Sequence, residues 1–85
     1  MAETIRAWLR RKGVLATGEQ MALVTWYIEW RMGRGATRAE ARADVHTLWD
    51  LSRTLTKSDV DATHDLVAAI AVIRARKGRV VSRPV

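Results

Sequence analysis

The chain has 85 residues, 48% apolar and 28% charged, which is the balance of a folded rather than a disordered protein. It contains no cysteine, so neither a disulfide nor a thiolate metal site can brace it, and a chain of this size buries only about 60–65% of its unfolded surface. Fifteen Lys+Arg against nine Asp+Glu leave a net charge of +6, which favours polyanions and acidic protein surfaces and says nothing about fold.

Arginine accounts for twelve of the fifteen cations. Codon bias produces such an excess as readily as selection for bidentate phosphate contacts does, and the absence of Phe beside four Trp points to the codon origin. The excess is therefore not evidence of recognition. Met1 to Lys12 lacks the apolar segment of a signal peptide. The longest nearly uninterrupted apolar run, Leu66 to Ile73, falls well short of the roughly 20 residues that span a bilayer. A cytoplasmic protein without membrane contact is expected.

Four helical segments follow one another, at about 3–12, 18–32, 38–54 and 59–77. They predict an all-α fold: a single compact four-helix domain over 1–77, with 78–85 a short basic tail expected to be flexible. The first segment places Ile5, Trp8 and Leu9 on one face, and Gly13 follows as a stop behind Arg10, Arg11 and Lys12.

Thr17-Gly18-Glu19-Gln20 has the spacing of a capping box, in which the hydroxyl and the third side chain satisfy each other's backbone N–H groups. The second helix is expected to end at Gly33. Thr37-Arg38-Ala39-Glu40 opens the third helix in the same way. Ser58 with Asp61 opens the fourth, with Thr56 and Asp59 as the alternative, and Gly78 is expected to close it. Asp59, Asp61 and Asp65 sit at its positive end and Arg74, Arg76 and Lys77 at its negative end, both favourable to the helix dipole.

At about 100° per residue the second helix carries two apolar stripes rather than one. Leu23, Trp26 and Trp30 fall together with Tyr27 at their edge, while Met21, Val24, Ile28 and Met32 fall on the opposite side. The simpler reading is that this helix is central and both stripes are core. The other is that Leu23, Trp26, Tyr27 and Trp30 meet a partner or a second copy in a homodimer, since Trp and Tyr bury large areas at binding hot spots.

The third helix has its apolar arc at Ala41, Val45, Leu48, Trp49, Ser52 and Leu55, edged by Arg38, Arg42, His46 and Arg53. Cations beside an aromatic ring suit nucleic acid, where the charges meet phosphate and the ring packs on sugar or base. A solvated rim whose arginine stems cover the core is the plainer explanation. Further cations lie at Arg6, Arg10, Arg11 and Lys12, and at Arg74, Arg76, Lys77, Arg79 and Arg83; packing decides whether these patches merge. Helices two and three, joined by Gly33-Arg34-Gly35-Ala36, resemble a helix-turn-helix in length and capping. With Gly35 as the turn glycine, however, Arg31 stands where a small buried residue belongs and Asp44 points inward; with Gly33 in that role, Glu29 and Arg42 take those places.

An enzyme is not expected. His46 and Asp50 share a helix face but are too few for a metal site, and His64 is expected to be a partly buried packing residue at the rim of the fourth helix. No glycine-rich phosphate loop, nucleophile elbow or paired-carboxylate pattern appears, and no cofactor is implied. The leading expectation is a double-stranded DNA-binding or transcription-regulating module using Arg38, Arg42, Arg53 and Trp49, with Arg10, Arg11, Arg76 and Arg79 in support. The alternative is an adaptor, inhibitor or homo-oligomer that uses the Trp-rich stripe; by charge alone, an acidic protein surface is the other expected partner besides DNA.

Overall fold

In the computed structural model, which describes the backbone of residues 3–81 and the side chains of residues 3–77, four hydroxyl side chains open four helices. Thr4 precedes α1 (Ile5–Arg11), Thr17 precedes α2 (Gly18–Gly33), Thr37 precedes α3 (Arg38–Leu55) and Ser58 precedes α4 (Asp59–Val81). Both predicted capping boxes are complete. Thr17 Oγ1 accepts from the Gln20 N–H at 3.1 Å and Gln20 Oε1 from the Thr17 N–H at 2.8 Å. Thr37 and Glu40 exchange the same two bonds at 3.1 and 2.8 Å. The Ser58 hydroxyl accepts from the Asp61 N–H at 3.1 Å, so the first of the two candidate caps opens α4. The described residues form an all-α four-helix domain without strands.

Two helices stop by the same device. After α1, Gly13 has φ +84°, its N–H bonds Arg10 O at 2.9 Å, and the Val14 N–H reaches back to Leu9 O at 3.0 Å. After α2 the stop is Gly35 and not Gly33. Gly33 is the last helical residue, while Gly35 has φ +105° and bonds Met32 O at 3.0 Å, and the Ala36 N–H bonds Arg31 O at 3.1 Å. These paired 6→1 and 5→2 bonds satisfy the last carbonyls of each helix and require a residue that tolerates positive φ.

The two glycines therefore predict substitutions of opposite sign. A Cβ at either position meets nothing within 4 Å, so the backbone alone decides. Gly33→Ala should stabilise the protein by about 0.5–1 kcal/mol, as helical Gly→Ala changes do. Gly35→Ala should destabilise it by about 1–2 kcal/mol, the cost of forcing an L-residue into this region. Urea midpoints of the two variants, one above and one below the parent, check the assignment.

Gly78 does not close α4, which continues through it to Val81. The expected tail thus begins within the helix, and residues 82–85 lie outside the described residues. No helix among the described residues is long and apolar enough to cross a membrane.

The core is one cluster drawn from all four helices. Ile5, Trp8 and Leu9 of α1 meet Val24, Tyr27 and Ile28 of α2, Ala41, Val45 and Trp49 of α3, and Ala62, Leu66 and Ile70 of α4. Side-chain pairs give the helix directions. Arg31 to Asp44 joins α2 to α3. Trp49 to Thr63 and Arg53 to Asp59 run α3 antiparallel to α4, while Trp26 to Arg74 and Trp30 to Lys77 run α2 and α4 side by side in the same sense. The C-terminal ends of α2 and α4 and the N-terminal end of α3 thus share one end of the bundle.

Helix α2 buries Val24 and Ile28 of one stripe and Tyr27 at the edge of the other. Met21 and Met32 on one side and Leu23, Trp26 and Trp30 on the other all pack against the core while remaining partly open. Tyr27, read as the edge of the partner-binding stripe, is buried at 7% exposure. Two apolar assignments fail. Leu55 is 84% exposed because α3 ends there and the chain turns away, and His64, expected at a packed rim, is exposed.

Candidate functional site

The first turns of α3 are where cations, a concave surface and small side chains coincide. Arg38, Ala39, Arg42, Ala43, His46 and Thr47 line an open concavity of about 740 Å³, closed at one side by Glu3 ahead of α1. A neighbouring groove of about 250 Å³ has Met21 and Ile28 in its floor and brings Arg6 of α1 beside the same Arg38 and Arg42. Arg38, Ala39, Ala43 and Thr47 are exposed, and Arg42 and His46 are half-buried. Arg42 also donates to the carbonyl oxygen of Glu3, which ties the entry of α1 to α3. The Glu3 carboxylate accepts two bonds from Arg11, at 2.6 and 2.7 Å, and this bidentate contact holds its carboxyl below the usual range.

Acidic groups near this face are partly occupied. Glu40 is locked into its capping box, where the Thr37 backbone N–H lowers its pKa, so its charge is committed to the helix end. Arg31 and Asp44, the two residues out of place for a regular helix-turn-helix, stand 2.7 Å apart across α2 and α3, each about one-third exposed. The Arg31 Nε–H is not aimed along that contact, so the two form an ion pair without a hydrogen bond.

His46 lies against the ring of Trp8, with centroids 4.1 Å apart. Burial pushes its pKa below the ordinary 6.5; Asp50 and Glu3 pull it up, while Arg42 and Lys12 push it further down. The unfolded chain, whose histidine keeps the ordinary value, therefore takes up the proton first as pH falls. This contribution to stability is complete above about pH 6.5 and is lost as pH drops through the lower folded value. The melting temperature should fall between pH 7.5 and 5, and His46→Gln should flatten part of that fall.

Two of the other predicted site residues, Trp49 and Arg53, are engaged within the fold. Trp49 is in the core at 3% exposure, its Nε1–H donating to Thr63 Oγ1 at 3.0 Å, because α1 and α4 cover the arc that the sequence left open. Arg53 pairs with Asp59 at 2.8 Å and donates to the Thr56 carbonyl oxygen at 3.1 Å, bracing the α3–α4 corner. Arg11 is held by Glu3. Arg10 and Arg76 are exposed, and the side chain of Arg79 lies outside those described.

A second cluster forms where α2 and α4 end. Trp26 and Trp30 stack with centroids 5.7 Å apart and planes 11° apart. Arg34 and Lys77 lie over the Trp30 ring at 5.3 and 5.8 Å, and Arg74 lies over Trp26 at 5.9 Å. Sequence reasoning placed Arg74 and Lys77 at a helix end and in a basic patch and gave Arg34 no role; it tied none of the three to the tryptophans. Arg34 was within reach of it, being four residues after Trp30 and so on the same helical face. Arg74 and Lys77 were not, since only packing brings α4 alongside α2.

Fold and surface define the class: a small all-α four-helix domain with two cation-rich faces. No family model, no curated protein and no solved structure matches the chain, so its residues alone carry the functional reading.

Proposed function

We propose that this chain is a small non-enzymatic DNA-binding domain that lays the first half of α3 on double-stranded DNA. One observation carries the reading: Arg38 and Arg42 line both adjoining concavities and are joined there by Arg6 from a different helix. Three arginines converge on a face where Ala39, Ala43 and Thr47 are too small to hold DNA away, with His46 beside them and the Glu3 carboxylate, at its margin, held by Arg11. A helix needs such a low profile to enter the major groove while cations at its edge reach phosphate.

The local chain path supports this reading. A short turn through Gly35 leads into a capped α3, as in helix-turn-helix proteins. The Arg31–Asp44 pair replaces the small apolar contact usual between two such helices, which makes the unit an irregular variant.

Fluorescence anisotropy with labelled double-stranded DNA tests the reading. Binding should be measurable at about 50 mM salt, and log K should fall linearly with log salt by about 0.9 for each phosphate contact. Absence of binding at that salt overturns the proposal.

A further inference from the structure

The Trp26/Trp30 cluster is a separate surface with its own chemistry. Arg34, Arg74 and Lys77 are exposed, and among the described residues none of them has a carboxylate partner. Three like charges brought together repel one another, and aromatic rings beneath them offset that cost only in part. The rings are also only half covered by the chain, unlike Trp8 and Trp49, which are buried at 8% and 3% exposure.

We infer that this patch, at the adjoining C-terminal ends of α2 and α4, docks an acidic, amphipathic segment of a partner protein. Carboxylates of the segment meet Arg34, Arg74 and Lys77, and its apolar side chains cover what Trp26 and Trp30 leave exposed. Ring availability favours a protein segment over single-stranded nucleic acid. Bases bind such sites by stacking on free aromatic faces. Here the faces are taken up by the two rings stacking on each other and by the cations above them. The part of the two rings left exposed lies beside positive charge, which suits an apolar side chain next to a carboxylate.

The test uses a short labelled peptide rich in glutamate and leucine, titrated against the intact chain by anisotropy. Two companion peptides carry glutamine for every glutamate, or serine for every leucine. The triple variant Arg34→Gln/Arg74→Gln/Lys77→Gln should bind the glutamate–leucine peptide about tenfold more weakly or worse. The triple variant Arg6→Gln/Arg38→Gln/Arg42→Gln, with the same loss of charge, should bind it like the parent. Equal losses in the two variants would reduce the effect to net charge and overturn the inference. So would undiminished binding of the serine peptide, or tighter binding of labelled oligothymidine to the patch.

A second readout needs no variant. Since Trp8 and Trp49 are buried, acrylamide quenching reports mainly on Trp26 and Trp30, and the peptide should reduce it; unchanged quenching counts against docking there. Double-stranded DNA binding should survive the first triple variant and suffer in the second, so the two functional readings stand or fall apart.

Discussion

Trp49→Ala should cost the domain about 3–5 kcal/mol, the range for truncating a large buried aromatic, and leave it partly or wholly unfolded. The ring is 3% exposed, meets Trp8 edge-on at 5.1 Å and has the Lys12 ammonium 4.6 Å from its centroid. Removing it opens a cavity where α1, α3 and α4 meet. It also takes a donor from Thr63, which is 1% exposed and keeps only the bond it gives to Asp59 O at 2.9 Å. Trp49→Phe separates the two losses, since it keeps most of the volume and should cost about 1–3 kcal/mol through the unmatched polar group. Urea unfolding followed by circular dichroism measures both. A loss below about 1 kcal/mol for the alanine variant would mean that the ring is not the keystone described.

Arg38→Ala/Arg42→Ala should lower the salt slope of DNA binding by about 1.8, two contacts at about 0.9 each, and weaken binding about tenfold or more. The fold should survive, because Arg38 is exposed and the bond lost from Arg42 to Glu3 O lies at the surface, where such bonds contribute about 0.5–1.5 kcal/mol. Arg53→Ala provides the contrast. Its guanidinium holds Asp59 and the Thr56 carbonyl, so its loss should lower stability slightly and leave the slope unchanged. An equal change of slope in both variants would spread the interface along all of α3 and remove the reason for placing it at the first turns.

The helices were legible because their signals are local. A hydroxyl satisfies a backbone N–H of the turn it opens, reciprocated by Gln20 at Thr17 and by Glu40 at Thr37, so Thr17, Thr37 and Ser58 mark three starts without help from the rest of the chain. Stops were harder. Gly33 and Gly35 are both credible from composition, and the choice rests on which one places its N–H, and its successor's, on the carbonyls behind. Gly78 looked like a third stop, but an isolated glycine inside a helix costs only about 1 kcal/mol against alanine and does not end it.

The arginine-lined face depended on packing. Arg38 and Arg42 share a helical face by periodicity alone, whereas Arg6 joins them only because α1 folds back across α3. Trp49 lay on the apolar arc and beside cations at once, and one sequence cannot say which neighbour wins. Coverage by α1 and α4 decides it, since burying a ring that can donate to Thr63 is worth more than leaving it at a basic rim.

The two stripes of α2 show the same division. Their existence is a property of the chain, set by residue order and a 3.6-residue turn. How far each is covered is a property of the assembled helices. Tyr27 is buried, while helix α4 leans on Trp26 and Trp30 without closing over them and brings Arg74 and Lys77 to rest on their rings. Local hydrogen bonding and periodicity determined four helices and their faces. Tertiary contact, which joins residues dozens of positions apart, decided which of those faces remained exposed.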